Sequence, residues 1–265
     1  MEEGSEAHMH RSHDYTLLLR RWRAVARAAG LRLQRFALAG ELPVYFLRTT
    51  PAADVRTIYL SAGIHGDEPA GPAALLAWAK KHAAHLRAHP FLLFPCLNPW
   101  GLMNNSRYDA QGRDLNRTFA AKRPPTPVRE LLRLIEGERF ALSLTLHEDY
   151  DATGFYVYEV MRRAPFWGEQ LLRKARSLIA IDSRSSIDGR RARTGLVRRE
   201  FKPQRFPAMP ESIYLHRRHS FRTFTTESPS EFALDTRIAA HVAVIEECVR
   251  LAQSAPLHGK AWTQL

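Results

Sequence analysis

His65-Gly66-Asp67-Glu68 follows directly on the apolar run Thr57–Ile64. A histidine and a carboxylate three positions apart, at the end of a strand-like run, offer an imidazole nitrogen and a carboxylate oxygen to one metal ion. Gly63 and Gly66 let the backbone turn sharply there, and Pro69, Gly71 and Pro72 lead into a helix. A loop with two ordinary polar residues is the alternative, and the pair alone does not decide between them.

Catalytic zinc takes three protein ligands and keeps a position for water. The third is expected as a histidine at the end of a neighbouring strand, where His147 stands in Leu144-Thr145-Leu146-His147. Hydrolysis also needs a base that takes the water proton and passes it to the leaving nitrogen. Glu227, in Phe224-Thr-Thr-Glu227-Ser-Pro-Ser, ends another strand-like run; a turn cap before Pro229 is the competing reading. Residues 98–119 add Arg107, Arg113 and Arg117, interleaved with amide side chains. Such a segment suits a carboxylate, which a guanidinium binds bidentately, and one arginine can instead serve a developing oxyanion. A basic loop without a role fits the composition as well.

These residues act together only on a scaffold that gathers strand ends. Strands are expected over 57–64, 91–97, 140–146 and 221–226, and helices over 72–88, 126–137, 164–177 and 236–254. The alternation predicts an α/β fold with a largely parallel sheet covered on both faces. Ligand sites in such sheets gather at the carboxyl ends of the strands. Upstream, a helix over 15–29 ends at Gly30, and a hairpin follows over 31–38 and 43–48. Residues 1–14 read as a flexible tail whose His8, His10 and His13 hold metal weakly at best, and 15–265 as one catalytic domain without repeats. The Arg-, Ser- and Gly-rich stretch 182–207 is either a solvated loop or a lid over an acidic substrate.

At 265 residues, 45% hydrophobic and 25% charged, the composition is that of a globular protein. No apolar run approaches the ~20 residues of a membrane span, and the acidic N-terminus lacks a signal-peptide core. A cytoplasmic protein is therefore expected, with Cys96 and Cys248 as buried small hydrophobes. A net charge of +12 steers acidic substrates toward a cleft. Non-enzymatic binding of a polyanion is the alternative, but no nucleic-acid motif accompanies the charge, and neither a specific nucleic acid nor a membrane is expected as partner.

Taken in order, His65-x-x-Glu68, Asn98-Pro-x-Gly101, Asp114-Leu-Asn116-Arg117-x-Phe119, His147 and Thr226-Glu227 resemble the zinc carboxypeptidase family, small bacterial type. The resemblance implies a three-layer α/β/α sandwich around a mixed sheet. It implies His65, Glu68 and His147 as ligands of one zinc ion per chain, with Asp67 supporting them, and Glu227 as general acid/base. Arg107 would polarise the scissile carbonyl, and Asn116 with Arg117 would hold the substrate's terminal carboxylate. Tyr214 is the best match to the family's substrate-contacting tyrosine. Small members trim murein peptides, so the implied activity is removal of a C-terminal residue from a short acidic peptide. The succinylglutamate desuccinylase/aspartoacylase group shares the ligand pair and the Asp-Leu-Asn-Arg-x-Phe motif, and implies deacylation of N-acyl amino acids instead. Asn98-Pro-x-Gly101 with Arg107, and Glu227-Ser-Pro-Ser, stand closer to the peptidase branch.

Overall fold

The computed structural model describes residues 11–49, 56–161, 164–199 and 208–254. His8 and His10 lie outside them. Residues 11–14 do not behave as the expected tail: Arg11–His13 form a 3-10 turn. His13 Nδ1 hydrogen-bonds the Leu102 carbonyl at 2.7 Å, which makes it an anchor rather than a loose metal trap. The Asp14 carboxylate then accepts from the Leu17 N–H and caps α1 (Tyr15–Ala28), whose stripe Leu18, Trp22 and Val25 is buried.

A hairpin follows, β1 (Gln34–Ala39) and β2 (Leu42–Arg48). Strand and helix then alternate through β3 (Thr57–Ala62), α2 (Ala70–Lys81), α3 (Ala83–Ala88), β4 (Phe91–Phe94), α4 (Pro99–Met103) and α5 (Thr126–Leu134). The second half runs β5 (Phe140–Asp149), β6 (Tyr156–Val160), α6 (Gly168–Ala175), β7 (Ser186–Ile187), β8 (Arg190–Arg191) and β9 (Leu196–Arg199). It closes with α7 (Glu211–Arg218), β10 (Thr223–Pro229) and α8 (Leu234–Ser254). The helix expected over 72–88 is two helices, broken at His82, which leaves the helical region at φ −113°.

Eight strands form one mixed sheet in the order β1-β2-β4-β3-β5-β10-β6-β9. The central four, β4, β3, β5 and β10, are parallel, with β2 and β6 antiparallel at their flanks. Period-two alternation divides each strand between two cores. Ile58, Leu60, Phe91, Leu93, Leu142, Leu144 and Phe224 pack in the core with α1, α2, α6 and α8. Tyr59, Leu92, Phe94 and Phe140 pack in the other, with α5 and α7. Burial on both faces explains why the central strands read as continuous apolar runs, and the arrangement is the expected α/β/α sandwich.

Two regions depart from expectation. The strand β6 carries Glu159, a charge that argues against a central strand, yet Glu159 is buried because it accepts from the Trp167 and Gly168 N–H groups and pairs with Arg198. Within 182–207 the chain forms the β7–β8 hairpin and then β9, which pairs with β6 and closes the sheet edge; residues 200–207 lie outside the described set. Among the described residues no helix is long and apolar enough to cross a membrane.

Candidate active site

The site begins where β3 stops. Gly63 takes φ +63°, and a Cβ there would come within 3.0 Å of Cys96 Sγ and Pro72 Cγ. Gly66 lies so close to Gly101 that a Cβ would approach its carbonyl carbon to 1.8 Å. Two glycines thus let the chain reverse in a space with no room for side chains, and His65 between them turns into the cleft at the strand ends. The Asn98 side chain holds the opposite wall by accepting from the Gly101 N–H and donating to the Tyr108 carbonyl.

His65 Nδ1 lies 2.5 Å from Glu68 Oε1, and His147 Nδ1 lies 2.8 Å from Glu68 Oε2. One ligand atom from each of the three residues falls within 4.8 Å of the others, and all three are buried. Two imidazoles and one carboxylate converging at a cleft are the donor set of a catalytic zinc site, and their geometry fits such an ion. Asp114 completes the arrangement: its Oδ1 is 3.2 Å from His65 Nε2, and its Oδ2 accepts from Arg107 Nε and Nη2 at 3.1 and 2.9 Å. A carboxylate on the outer nitrogen of a ligating histidine fixes its ring and tautomer. The sequence reading expects Asp67 in this supporting role; Asp67 is exposed and makes no hydrogen bond to either histidine. The backbone turns it outward one position before Glu68 turns in.

The charges answer to one another. Burial would depress the His65 imidazolium, but Glu68 and Asp114 outweigh it and raise its pKa to about 9. Burial also opposes ionisation of Glu68, yet the two histidines hold its pKa well below the usual carboxylate range. Glu227 goes the other way: burial, with Glu68 and Asp149 nearby, pushes its pKa well above that range despite His147.

Glu227, Arg107, Asn116 and Arg117 line the same cleft as the three clustered residues, a space of about 530 Å³. Asn116 Oδ1 accepts from the Glu211 backbone N–H at 2.9 Å. Its NH2 group is therefore the end left for a ligand. Arg113 is turned away and bound to Asp109 and Gln111. Tyr214 does not line the cleft: its ring packs on Phe119 and His219, with centroids at 5.8 and 5.5 Å. The tyrosines that do line it include Tyr156 and Tyr158 on β6. They share a face two positions apart, and Tyr156 pairs with Glu227 across the β6–β10 register. Their alternation in Tyr156-Val-Tyr158 is the signal by which the sequence could have revealed them.

Two further residues brace the site from behind. His241 on α8 bonds the hydroxyls of Thr226 and Ser228, each at 3.0 Å, and so grips both neighbours of Glu227. Burial holds its pKa near 3, so it is a neutral imidazole. Glu148, next to His147, accepts from the Ala70 N–H at 2.6 Å and pairs with Arg237, tying β5 to α2 and α8.

Comparison with known proteins places this geometry. Residues 54–180 match the model of the succinylglutamate desuccinylase/aspartoacylase catalytic domain. A candidate metallopeptidase from Shewanella amazonensis SB2B superposes with a TM-score of 0.82 at 24% identity, over 91% of this chain and 94% of that one. A metallo-carboxypeptidase from Burkholderia cenocepacia gives 0.67 at 17% identity, over 91% of this chain and 70% of that one. The murein-tripeptide amidase MpaA from Escherichia coli O157 gives 0.54 at 17% identity, over 85% and 93%. A search of curated protein sequences gave no significant match. The chain thus has the metallocarboxypeptidase-like fold and, over residues 54–180, the catalytic-domain pattern of the desuccinylase/aspartoacylase group, as its motif order implies.

Proposed function

We propose that the chain is a zinc-dependent carboxypeptidase that removes a C-terminal residue from a short acidic peptide, with murein peptides among its candidate substrates. The observation that carries this reading is the convergence of His65, Glu68 and His147 in one cleft with Glu227 and the Arg107, Asn116 and Arg117 side chains. His65, Glu68 and His147 would hold one zinc ion, which when bound supplies Lewis acidity toward a carbonyl and acidifies water.

The chain's own groups do the rest. Glu227, whose raised pKa suits a group that both takes and returns a proton, removes a proton from the attacking water and delivers it to the leaving nitrogen. Arg107, held in place by Asp114, donates to the scissile carbonyl oxygen as charge develops on it. The Asn116 NH2 and the Arg117 guanidinium hold the terminal carboxylate. The free, buried thiols of Cys96 and Cys248 accord with a cytoplasmic setting.

A second reading, deacylation of N-acyl amino acids, is favoured by the match of residues 54–180 to the desuccinylase/aspartoacylase model. The same residues serve it, with an acyl group in place of the peptide. A liquid-chromatography screen of murein tripeptides, ordinary dipeptides and N-acyl amino acids against zinc-loaded protein separates the two. Release of a C-terminal residue from a peptide supports the first; turnover of N-acyl amino acids alone selects the second.

A further inference from the structure

Behind the cleft, on the face of the sheet that α7 covers, lies a carboxyl that the proposed reaction does not use. Glu211, the first residue of α7, is buried. Its Oε1 accepts from the Tyr59 hydroxyl at 2.5 Å and the Ser61 hydroxyl at 2.7 Å. Tyr59 and Ser61 stand two positions apart on β3, so both hydroxyls rise from one face of the strand that leads to His65. The backbone N–H of the same Glu211 donates to Asn116 Oδ1 at 2.9 Å. A second tie runs alongside, from the Phe119 N–H to the Met209 carbonyl at 3.3 Å. Pro210 and Ser212, on either side of Glu211, line the cleft.

Stability alone is a poor account of this carboxyl. Burial pushes its pKa above the ordinary carboxylate value, and its Oε2 has no hydrogen-bond partner among the described residues. A buried polar atom left unpaired is unfavourable, and an apolar side chain would fill the space without it. What the carboxyl does supply is a fixed position for its own backbone N–H. That N–H decides which end of the Asn116 amide faces the cleft. An amide turned over would present Oδ1, an acceptor, to an incoming carboxylate and repel it. We propose that Glu211 is a positioning residue for the substrate's terminal carboxylate: pinned to Tyr59 and Ser61, it holds the start of α7 so that the Asn116 NH2 points into the cleft. The inference deepens the hydrolase reading, on which the role of Asn116 rests, while the orientation of the amide is readable without substrate.

The sequence contains four asparagines, Asn98, Asn104, Asn105 and Asn116. Selective 15N-asparagine labelling of the full chain therefore gives four side-chain NH2 proton pairs by nuclear magnetic resonance, with that of Asn116 identified by its loss in Asn116→Ser. In Glu211→Ala, and in the Tyr59→Phe/Ser61→Ala double variant, the Asn116 pair is expected to move or broaden as the amide turns, while the other three hold their positions. Glu211→Gln, whose amide oxygen can accept from the same two hydroxyls, is expected to keep the wild-type pair. In zinc-loaded protein that turns over a substrate, Glu211→Ala is expected to raise KM about tenfold, the scale of a hydrogen bond to a charged group, with kcat within about twofold of wild type. Glu211→Gln should restore KM. A lowered Tm with the Asn116 pair unmoved, a Glu211→Gln variant that behaves as Glu211→Ala, or a loss in kcat alone overturns the positioning role. A wild type that cleaves no peptide and no N-acyl amino acid loses the hydrolase reading, and the Asn116 pair then decides the positioning role by itself.

Discussion

Glu227 stands directly opposite His147 in the parallel register of β5 and β10. Residues in register on neighbouring strands share a sheet face, with Cβ atoms close enough for side chains to interact. The proposed base and one proposed metal ligand are thus set by backbone pairing in the middle of the sheet, without a loop between them. The hydroxyl pairs Ser143–Thr223 and Thr145–Thr225, at 3.1 and 2.9 Å, run beneath them on the same face and hold the register.

Replacing Glu227 by Gln keeps the shape and removes the proton carrier. Hydrolysis of the best substrate is expected to fall by about 10²- to 10⁴-fold. Zinc content by atomic spectroscopy should stay at wild-type level, since Glu227 lies outside the clustered triad. Retained activity would remove Glu227 from the mechanism.

Asp114 touches His65 and Arg107 together. Asp114→Asn keeps the shape but loses the charge on both, so metal affinity or turnover is expected to drop by about 10- to 100-fold. Competition with a chromophoric zinc chelator measures the first and steady-state kinetics the second. An unchanged variant would mean that His65 is oriented without it.

The pH dependence of stability should differ between metal-stripped and zinc-loaded protein. His65 has a folded pKa of about 9 against an ordinary value of 6.5, so its contribution is complete below 6.5 and is lost as pH rises through 9. Glu68 has a depressed pKa, so its contribution is present above its ordinary value of 4.5 and is lost as pH falls below it. The Tm of stripped protein should therefore fall between about pH 6.5 and 9. A zinc site needs deprotonated imidazoles, so its affinity and its stabilisation grow over that window. Scanning calorimetry of the two forms should show curves that diverge with pH; parallel curves would contradict the assignment of His65.

Gly66→Ala forces a Cβ against the Gly101 backbone. Neither chain segment can move without displacing His65 or the Asn98-capped turn, so a loss of about 3 kcal/mol or more is expected. Denaturant melts measure it, and zinc binding should weaken in parallel. Gly40→Ala, where nothing lies within 4 Å of the added Cβ but φ is +64°, should show only backbone strain and normal zinc binding.

Much of the fold was legible because the central strands are buried on both faces, which writes them as unbroken apolar runs such as Phe91-Leu-Leu-Phe94. The strand β6 was not, because its buried Glu159 is satisfied by backbone donors about eight residues later in the chain, at Trp167 and Gly168. The short helix α7 was not, because four of its eight residues, Glu211, His216, Arg217 and Arg218, are acidic or basic, and Glu211 is buried by hydroxyls from Tyr59 and Ser61. Polar residues read as surface until their partners are known, and these partners are distant in sequence.

By itself the sequence determined where the candidate residues fall: His65 and Glu68 just after β3, and His147 and Glu227 within the last three residues of β5 and β10. Local pattern suffices there, because strand ends and tight glycine turns are set by neighbours in the chain. Only the tertiary structure decided which polar neighbours serve them. It chose Asp114 over Asp67, placed Tyr156 and Tyr158 in the cleft instead of Tyr214, and set His241 behind Glu227. Those choices depend on strand order, register and helix docking, which bring together side chains separated by up to tens of residues, and no local spacing encodes that distance.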